Sequence, residues 1–283
     1  MAKKNRAILD EIRRVFARLV AAASGSADPR LERAFELVPR EAFMGPGPWR
    51  IGVYQKYVDT PDADPAYLYQ NVVVALDADK GINNGEPFLH AIWIAAVSPK
   101  AGDTVCHIGA GTGYYTAILS VLTLPGGAVH AFELEQGLVE KARDNLRPFE
   151  GISVTHGDAT KLPLLLSDLI YVNAGVVAPP PSWLNALRPQ GRMIFPWRPS
   201  QDVALAIIIT RRRGGFSVKP LMNSYFIPCA GASDAEACRK TPDAREAWAV
   251  RSVWLSAERE PDETAVGICE HVWFSSAEIP EEA

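Results

Sequence analysis

The sequence predicts an α/β fold: a doubly wound, mostly parallel sheet with N-terminal helices ahead of it and an antiparallel β extension behind. Three observations carry this. Apolar runs of strand length alternate with helix-patterned segments from Asp103 to Phe195, the rhythm of strand, crossover helix and parallel strand. A glycine turn, Gly109-Ala110-Gly111-Thr112-Gly113, joins the first of these strands to its helix. Beyond Phe195 the helical pattern fades and strand-like runs follow one another, as in antiparallel pairs.

Each element has its own signal. Ile8, Ile12, Val15, Phe16, Leu19 and Val20 recur at helical spacing, so an amphipathic helix over 4–23 is expected to pack on its own domain. Asp28-Pro29 gives a cap and first turn to a second helix ending at Leu37. Residues 44–66 are rich in Gly, Pro and Asp and read as irregular, either a lid or a surface connection anchored by its aromatics. The segment 49–69 carries Tyr54, Tyr57, Tyr67 and Tyr69 and as a lid would order over the substrate side of a ligand. Pro87 opens a helix that stops near Ser98-Pro99. Strands are expected at 104–108, 128–132, 152–156, 168–172 and 192–195, with helices at 114–122, 136–146 and 183–187. Runs 203–210 and 216–226 bracket an Arg211-Arg212-Arg213-Gly214-Gly215 turn. A polar helical stretch over 234–248 leads to a hairpin of 250–255 and 266–274. The chain divides into residues 1–80 (helices and lid-like loop), 81–230 (core) and 231–283 (extension).

The balance of 29 basic and 33 acidic residues gives a net charge of −4, which argues against a nucleic-acid surface. Cys106, Cys229, Cys238 and Cys269 are scattered and have no metal-ligand spacing, so reduced structural thiols, a cytoplasmic location and no metal are expected. No apolar run nears the ~20 residues that span a bilayer, so no membrane partner is expected. Oligomeric state is not legible.

The glycine turn is the chemical centre. Glycines there let the backbone approach a ligand, with helix N–H groups available to it. Tyr114 stands where the third glycine of a dinucleotide fingerprint would be, and the remaining spacing suits a nucleoside with an amino-acid tail. Glu133 closes the second strand, where a carboxylate can accept from ribose hydroxyls. Asp158 follows the third, in Gly157-Asp158-Ala159, where it can take an adenine amino group. Either acid alone reads as a strand-end or capping residue.

These motifs resemble the class I S-adenosylmethionine-dependent methyltransferases, a Rossmann-like fold, and in particular the protein-L-isoaspartate O-methyltransferase family. Val38-Pro39-Arg40-Glu41-Ala42-Phe43, Pro87-Phe88-Leu89-His90-Ala91, the glycine loop, Phe132-Glu133, Gly157-Asp158 and Leu187-Arg188-Pro189-Gln190-Gly191-Arg192 follow the family's order. The resemblance implies S-adenosylmethionine as methyl donor and S-adenosylhomocysteine as product. It implies a cofactor site of His107, Gly109, Ala110, Gly111, Gly113, Tyr114, Glu133, Asp158, Ala159 and Asn173. It places the acceptor at Asn83, Asn84, Gly85, Glu86 and His90. No catalytic residue is assigned, because an ionised carboxylate needs no general base.

Two positions depart from the pattern. His107 stands where the family has an acid, and a neutral imidazole there can still hydrogen-bond the cofactor. Gly85 stands where the family has Ser or Thr, so isoaspartyl repair is expected to be weak and a serine restored at 85 to raise it. The expected reaction is O-methylation of a carboxylate on a peptide, protein or small acid. A nicotinamide-dependent oxidoreductase and a non-catalytic cofactor-binding module are the alternatives. Asn83-Asn84-Gly85 is also a good turn sequence, and His90 also reads as a packed core histidine.

Overall fold

The computed structural model describes residues 2–53 and 56–279. In chain order the helices and strands are α1 (Ala2–Ser24), α2 (Pro29–Leu37), β1 (Arg50–Val53), β2 (Lys56–Asp59), β3 (Val73–Asp77), β4 (Ile82–Asn83), α3 (Pro87–Val97) and β5 (Thr104–Ile108). Then come α4 (Tyr114–Thr123), β6 (Ala128–Glu133), α5 (Gln136–Leu146), β7 (Ile152–His156), β8 (Ser167–Val172), α6 (Pro181–Asn185), β9 (Leu187–Trp197) and β10 (Leu205–Arg212). The last are β11 (Gly215–Asn223), β12 (Cys238–Lys240), α7 (Ala244–Trp248), β13 (Ser252–Leu255), β14 (Ala265–Cys269) and β15 (Val272–Ser275). They form two compact units, one of residues up to 102 together with 110–156, the other of 103–109 with 157–283. Chain proximity does not decide membership, since the glycine turn itself passes from one unit to the other.

In the first unit α1 packs on α2 and α3 and buries Phe16, Ala17 and Val20. Ile8, Val15 and Leu19, expected on the same buried stripe, are exposed; the buried side is fixed by Phe16, which meets Phe35 and Tyr69 edge-on. The segment expected to be irregular contains a hairpin. β1 pairs antiparallel with β2 and with β3, giving the order β2-β1-β3-β4. β2 is exposed throughout and so lacks the alternation that reveals a half-buried strand. Gly52 lies opposite Tyr57, whose ring covers the place a Cβ would occupy. Tyr54, one of the proposed lid tyrosines, lies outside the described residues. β6 and β7 pair in parallel, as expected of the core.

The second unit is built on parallel β5, β8 and β9, continued by antiparallel β10 and β11. Arg213-Gly214 forms the turn between those two strands. The sheet then runs β11-β13-β15-β14-β12. Three expectations need correction here. The helix predicted over 234–248 is reduced to α7, capped by a reciprocal Asp243–Glu246 box, and only Cys238–Lys240 of the earlier residues are regular, as β12. The single run 266–274 is two strands, β14 and β15, folded back at Glu270-His271. Cys238 and Cys269 are bonded as a disulfide, not reduced, because the β12–β14 register sets them opposite each other. Cys106 and Cys229 are the free thiols, both buried. The extension is no loose appendage: Phe274 packs on Trp197 of β9 at 4.4 Å between ring centroids. Among the described residues no helix is long and apolar enough to cross a membrane.

Candidate functional site

In the first unit the glycine turn is held in shape by hydrogen bonds and by space. Ala110 N donates to Phe132 O at 3.1 Å and Gly113 N to Ala110 O at 2.9 Å. Gly113 caps α4 at φ 95°, and a Cβ there would lie 2.8 Å from Leu146 Cδ1, so both the backbone and the packing demand glycine. Gly111, at φ 57°, donates its N–H to Glu133 Oε2 at 2.7 Å. Glu133 Oε1 accepts from Leu134 N at 2.9 Å and Glu135 N at 3.0 Å. Burial pushes this carboxyl upward, and the amides of Glu135, Gly111 and Leu134 offset only part of the effect. A carboxylate offers about four lone-pair sites. With three filled by amides, Glu133 keeps one acceptor position, on Oε2. Tyr114 points into the core, its ring edge-on to Phe43 at 5.6 Å between centroids.

The acceptor stretch also lies wholly in the first unit. Asn83 Oδ1 accepts from Gly85 N at 2.8 Å, closing the turn that its sequence suggests. Asn84 is buried, its N–H on Val74 O. Glu86 is half-buried, and that burial raises its carboxyl despite a hydrogen bond to Asn71. Arg40, fully buried, organises the region. Its Nη1 donates to Leu68 O at 2.7 Å and Gln70 O at 3.0 Å, its Nη2 to Val72 O at 2.7 Å and Gly85 O at 3.4 Å, and its Nε to Asn84 Oδ1 at 3.4 Å. Sequence reasoning placed Arg40 in a motif without seeing this role.

Gly85 has φ 74°, and a Cβ on it would lie 2.4 Å from His90 Nε2. His90 is buried and stacks on Tyr115 with centroids 3.7 Å apart, while Tyr115 OH donates to Gly85 O at 3.3 Å. The imidazole therefore fills the space that a side chain at 85 would need. The backbone and the ring therefore both oppose a serine at 85, which the sequence alone did not show. Tyr69 closes the stretch, bonded to Arg13 and Glu41, so the later half of the proposed lid is tied to α1.

In the second unit the carboxyl ends of the parallel strands bring His107, Gly109 and Asn173 together. His107 is fully buried, and burial lowers it to about 3, so the ring is neutral. Its Nε2 lies 2.8 Å from Asn173 Nδ2; the amide donates, which assigns the ring proton to Nδ1. Asn173 Oδ1 is buried without a hydrogen-bond partner. Gly109 lies beside it at φ 76°, where an added Cβ would sit 3.4 Å from Asn173 Cβ. An unpaired buried carbonyl beside a bare glycine is an opening for a ligand donor. Asp158 accepts from Thr160 N at 2.9 Å and Thr160 Oγ1 at 2.6 Å and pairs with Lys161 at 3.1 Å. Its burial works against the charge, but Thr160 and Lys161 outweigh it and hold the carboxyl below its ordinary value. Ala159 is buried, and its carbonyl accepts from Trp183 Nε1 at 3.0 Å.

A strand, a three-glycine turn into a helix and an acid at the next strand's end define a Rossmann-like S-adenosylmethionine-dependent methyltransferase. The family model "Protein-L-isoaspartate(D-aspartate) O-methyltransferase (PCMT)" matches residues 20–234, and the chain belongs to that family. A protein-L-isoaspartate O-methyltransferase of Pelotomaculum thermopropionicum is 30% identical over 172 residues, 58% of this chain and 72% of the relative. A solved protein-L-isoaspartate O-methyltransferase superposes with TM-score 0.67 at 19% identity, covering 93% of this chain and 86% of its own. A second such structure, from Plasmodium falciparum in complex with S-adenosyl-L-homocysteine, gives TM-score 0.60 at 17% identity over 77% of this chain and 97% of that one. The two structures show the shared fold. The protein is accordingly an S-adenosylmethionine-dependent O-methyltransferase, and the oxidoreductase and non-catalytic alternatives fall away.

Proposed function

We propose that the enzyme methylates a carboxylate on a peptide or protein, and that an isoaspartyl carboxylate is the acceptor its relatives' names favour. The observation that supports the cofactor half is the Gly111–Glu133 hydrogen bond, which pins a glycine turn open beside a buried acid. S-adenosylmethionine supplies an electrophilic methyl group when bound. On this reading Gly109, Ala110, Gly111 and Gly113 give it bare backbone, and Glu133 Oε2 accepts a ribose hydroxyl. Asp158 and Ala159 take the adenine edge. Asn173, oriented by neutral His107, accepts from the methionine end. Tyr114 holds the turn from behind.

The acceptor half assigns Asn83, Asn84, Gly85, Glu86 and His90 to orienting the substrate. Neutral, buried His107 is no general base, and an ionised carboxylate requires none; alignment with the sulfonium axis is the protein's contribution. One observation favours a second reading, a carboxylate other than isoaspartyl: His90 occupies the room beside Gly85 in place of a hydroxyl-bearing side chain. Transfer from labelled S-adenosylmethionine to an isoaspartyl peptide, its aspartyl counterpart and a panel of small acids separates them. Turnover confined to the isoaspartyl peptide selects the first reading; turnover of other acids alone selects the second; transfer to none removes both.

A further inference from the structure

Arg198 follows β9 directly and lies at the carboxyl ends of the parallel strands of the second unit, the edge where open α/β sheets take ligands. Its backbone N–H donates to Val176 O at 2.7 Å, fixing it beside the segment that leaves β8. Gly175 there has no left-handed backbone to explain it. A Cβ at 175 would lie 2.7 Å from Arg198 Cδ, so the glycine makes room for the arginine stem. On the far side the chain from Tyr225 to Cys229 forms a wall: Gly175 N donates to Ile227 O at 2.7 Å and Cys229 N to Gly175 O at 2.8 Å.

The guanidinium lies over the Tyr225 ring, 4.1 Å from its centroid, and Nη1 donates to Phe226 O. Nε is buried with no partner, and no carboxylate of the described residues pairs with this half-buried cation. An unmet buried N–H on a cation stacked in place is costly unless something completes it. The shape offered is a planar, pre-oriented donor fork, the geometry that binds carboxylates side-on. Tyr225 is 61% exposed, so the stack opens to solvent on one side.

We propose that Arg198 is the residue that anchors a carboxylate of the methyl acceptor, with Gly175 and Tyr225 positioning it. This rests on the carboxylate reading above. The carboxylate it holds loses no bond; it is oriented by charge-assisted hydrogen bonds while transfer proceeds. The test compares wild type with Arg198→Met, Arg198→Lys and Gly175→Ala, using an isoaspartyl hexapeptide and its methyl ester as probes. Arg198→Met raises the peptide KM about tenfold or more with kcat within about twofold. Arg198→Lys falls between, and Gly175→Ala, which displaces the stem without touching the charge, behaves like Arg198→Met. Affinity for S-adenosylhomocysteine, measured by calorimetry, is unchanged in all three and shows that they are folded. A KM within about twofold of wild type in Arg198→Met overturns the proposal. If the wild type turns over no peptide, the carboxylate reading is in trouble, and the Arg198 Nε–H resonance decides separately. A shift with the carboxylate peptide and none with its ester supports the anchor; no shift with either overturns it.

Discussion

Placing a serine at position 85 tests how far His90 dictates the acceptor stretch. The backbone at Gly85 is left-handed, at φ 74°, which costs a side-chain-bearing residue about 1–2 kcal/mol. The new Cβ would lie 2.4 Å from His90 Nε2, so the imidazole must leave its stack on Tyr115, forfeiting about 0.5–1.5 kcal/mol. Together Gly85→Ser is expected to destabilise the protein by about 2–3 kcal/mol, roughly 3–5 °C in Tm for a chain of this size. In a His90→Ala background the collision is gone and only the backbone term survives, so the same substitution costs about 1 kcal/mol less. The assay is thermal denaturation of the four proteins of this cycle by circular dichroism, with S-adenosylhomocysteine affinity as a check on the fold. Equal costs in both backgrounds would refute the reasoning, as would a Gly85→Ser Tm within about 1 °C of wild type.

Four further outcomes are expected. Glu133→Ala weakens S-adenosylhomocysteine about ten- to hundredfold in calorimetry, because a hydrogen-bonded charge contributes about 1.5–3 kcal/mol; unchanged affinity in a folded variant removes Glu133 from the site. Asp158 sits below its ordinary value in the folded chain, so its ionised form stabilises above the unfolded carboxylate range and that contribution fades as pH falls through the lowered one. Asp158→Asn therefore flattens the acid limb of a Tm-against-pH curve, and an unaltered limb contradicts the assignment. Reducing Cys238–Cys269, which are 31 residues apart, lowers stability by about 3–4 kcal/mol on the chain-entropy account; a Cys269→Ser variant with wild-type Tm would deny it. In hydrogen exchange, S-adenosylhomocysteine protects β1–β2 more than residues 65–72, which Arg40 already holds; the reverse order argues against that clamp.

The sequence showed the core because its signals there are local. Strands such as Thr104–Ile108 and Ser167–Val172 are built on short apolar runs, and the glycine turn announces itself by composition. What escaped depends on partners far along the chain. β2 has no buried face to alternate with, so nothing in its pattern separates it from a loop. The Cys238–Cys269 bond follows from a strand register that spacing does not reveal. Gly85 is visible as a departure, but the His90 ring in its place is a fact of three dimensions. The pairing of His107 with Asn173 follows from β5 lying beside β8 and was only half legible, as two separate strand-end residues.

Arg40 grips the irregular chain mainly by its carbonyls, at Leu68, Gln70, Val72 and Gly85. Every residue type owns a carbonyl. The path of that chain is thus written at one position and is indifferent to the side chains that ride on it. Residues facing the acceptor can be exchanged for others while the loop keeps its course, as long as one buried guanidinium remains. A fold arranged this way can change what it accepts without first relearning how to hold it.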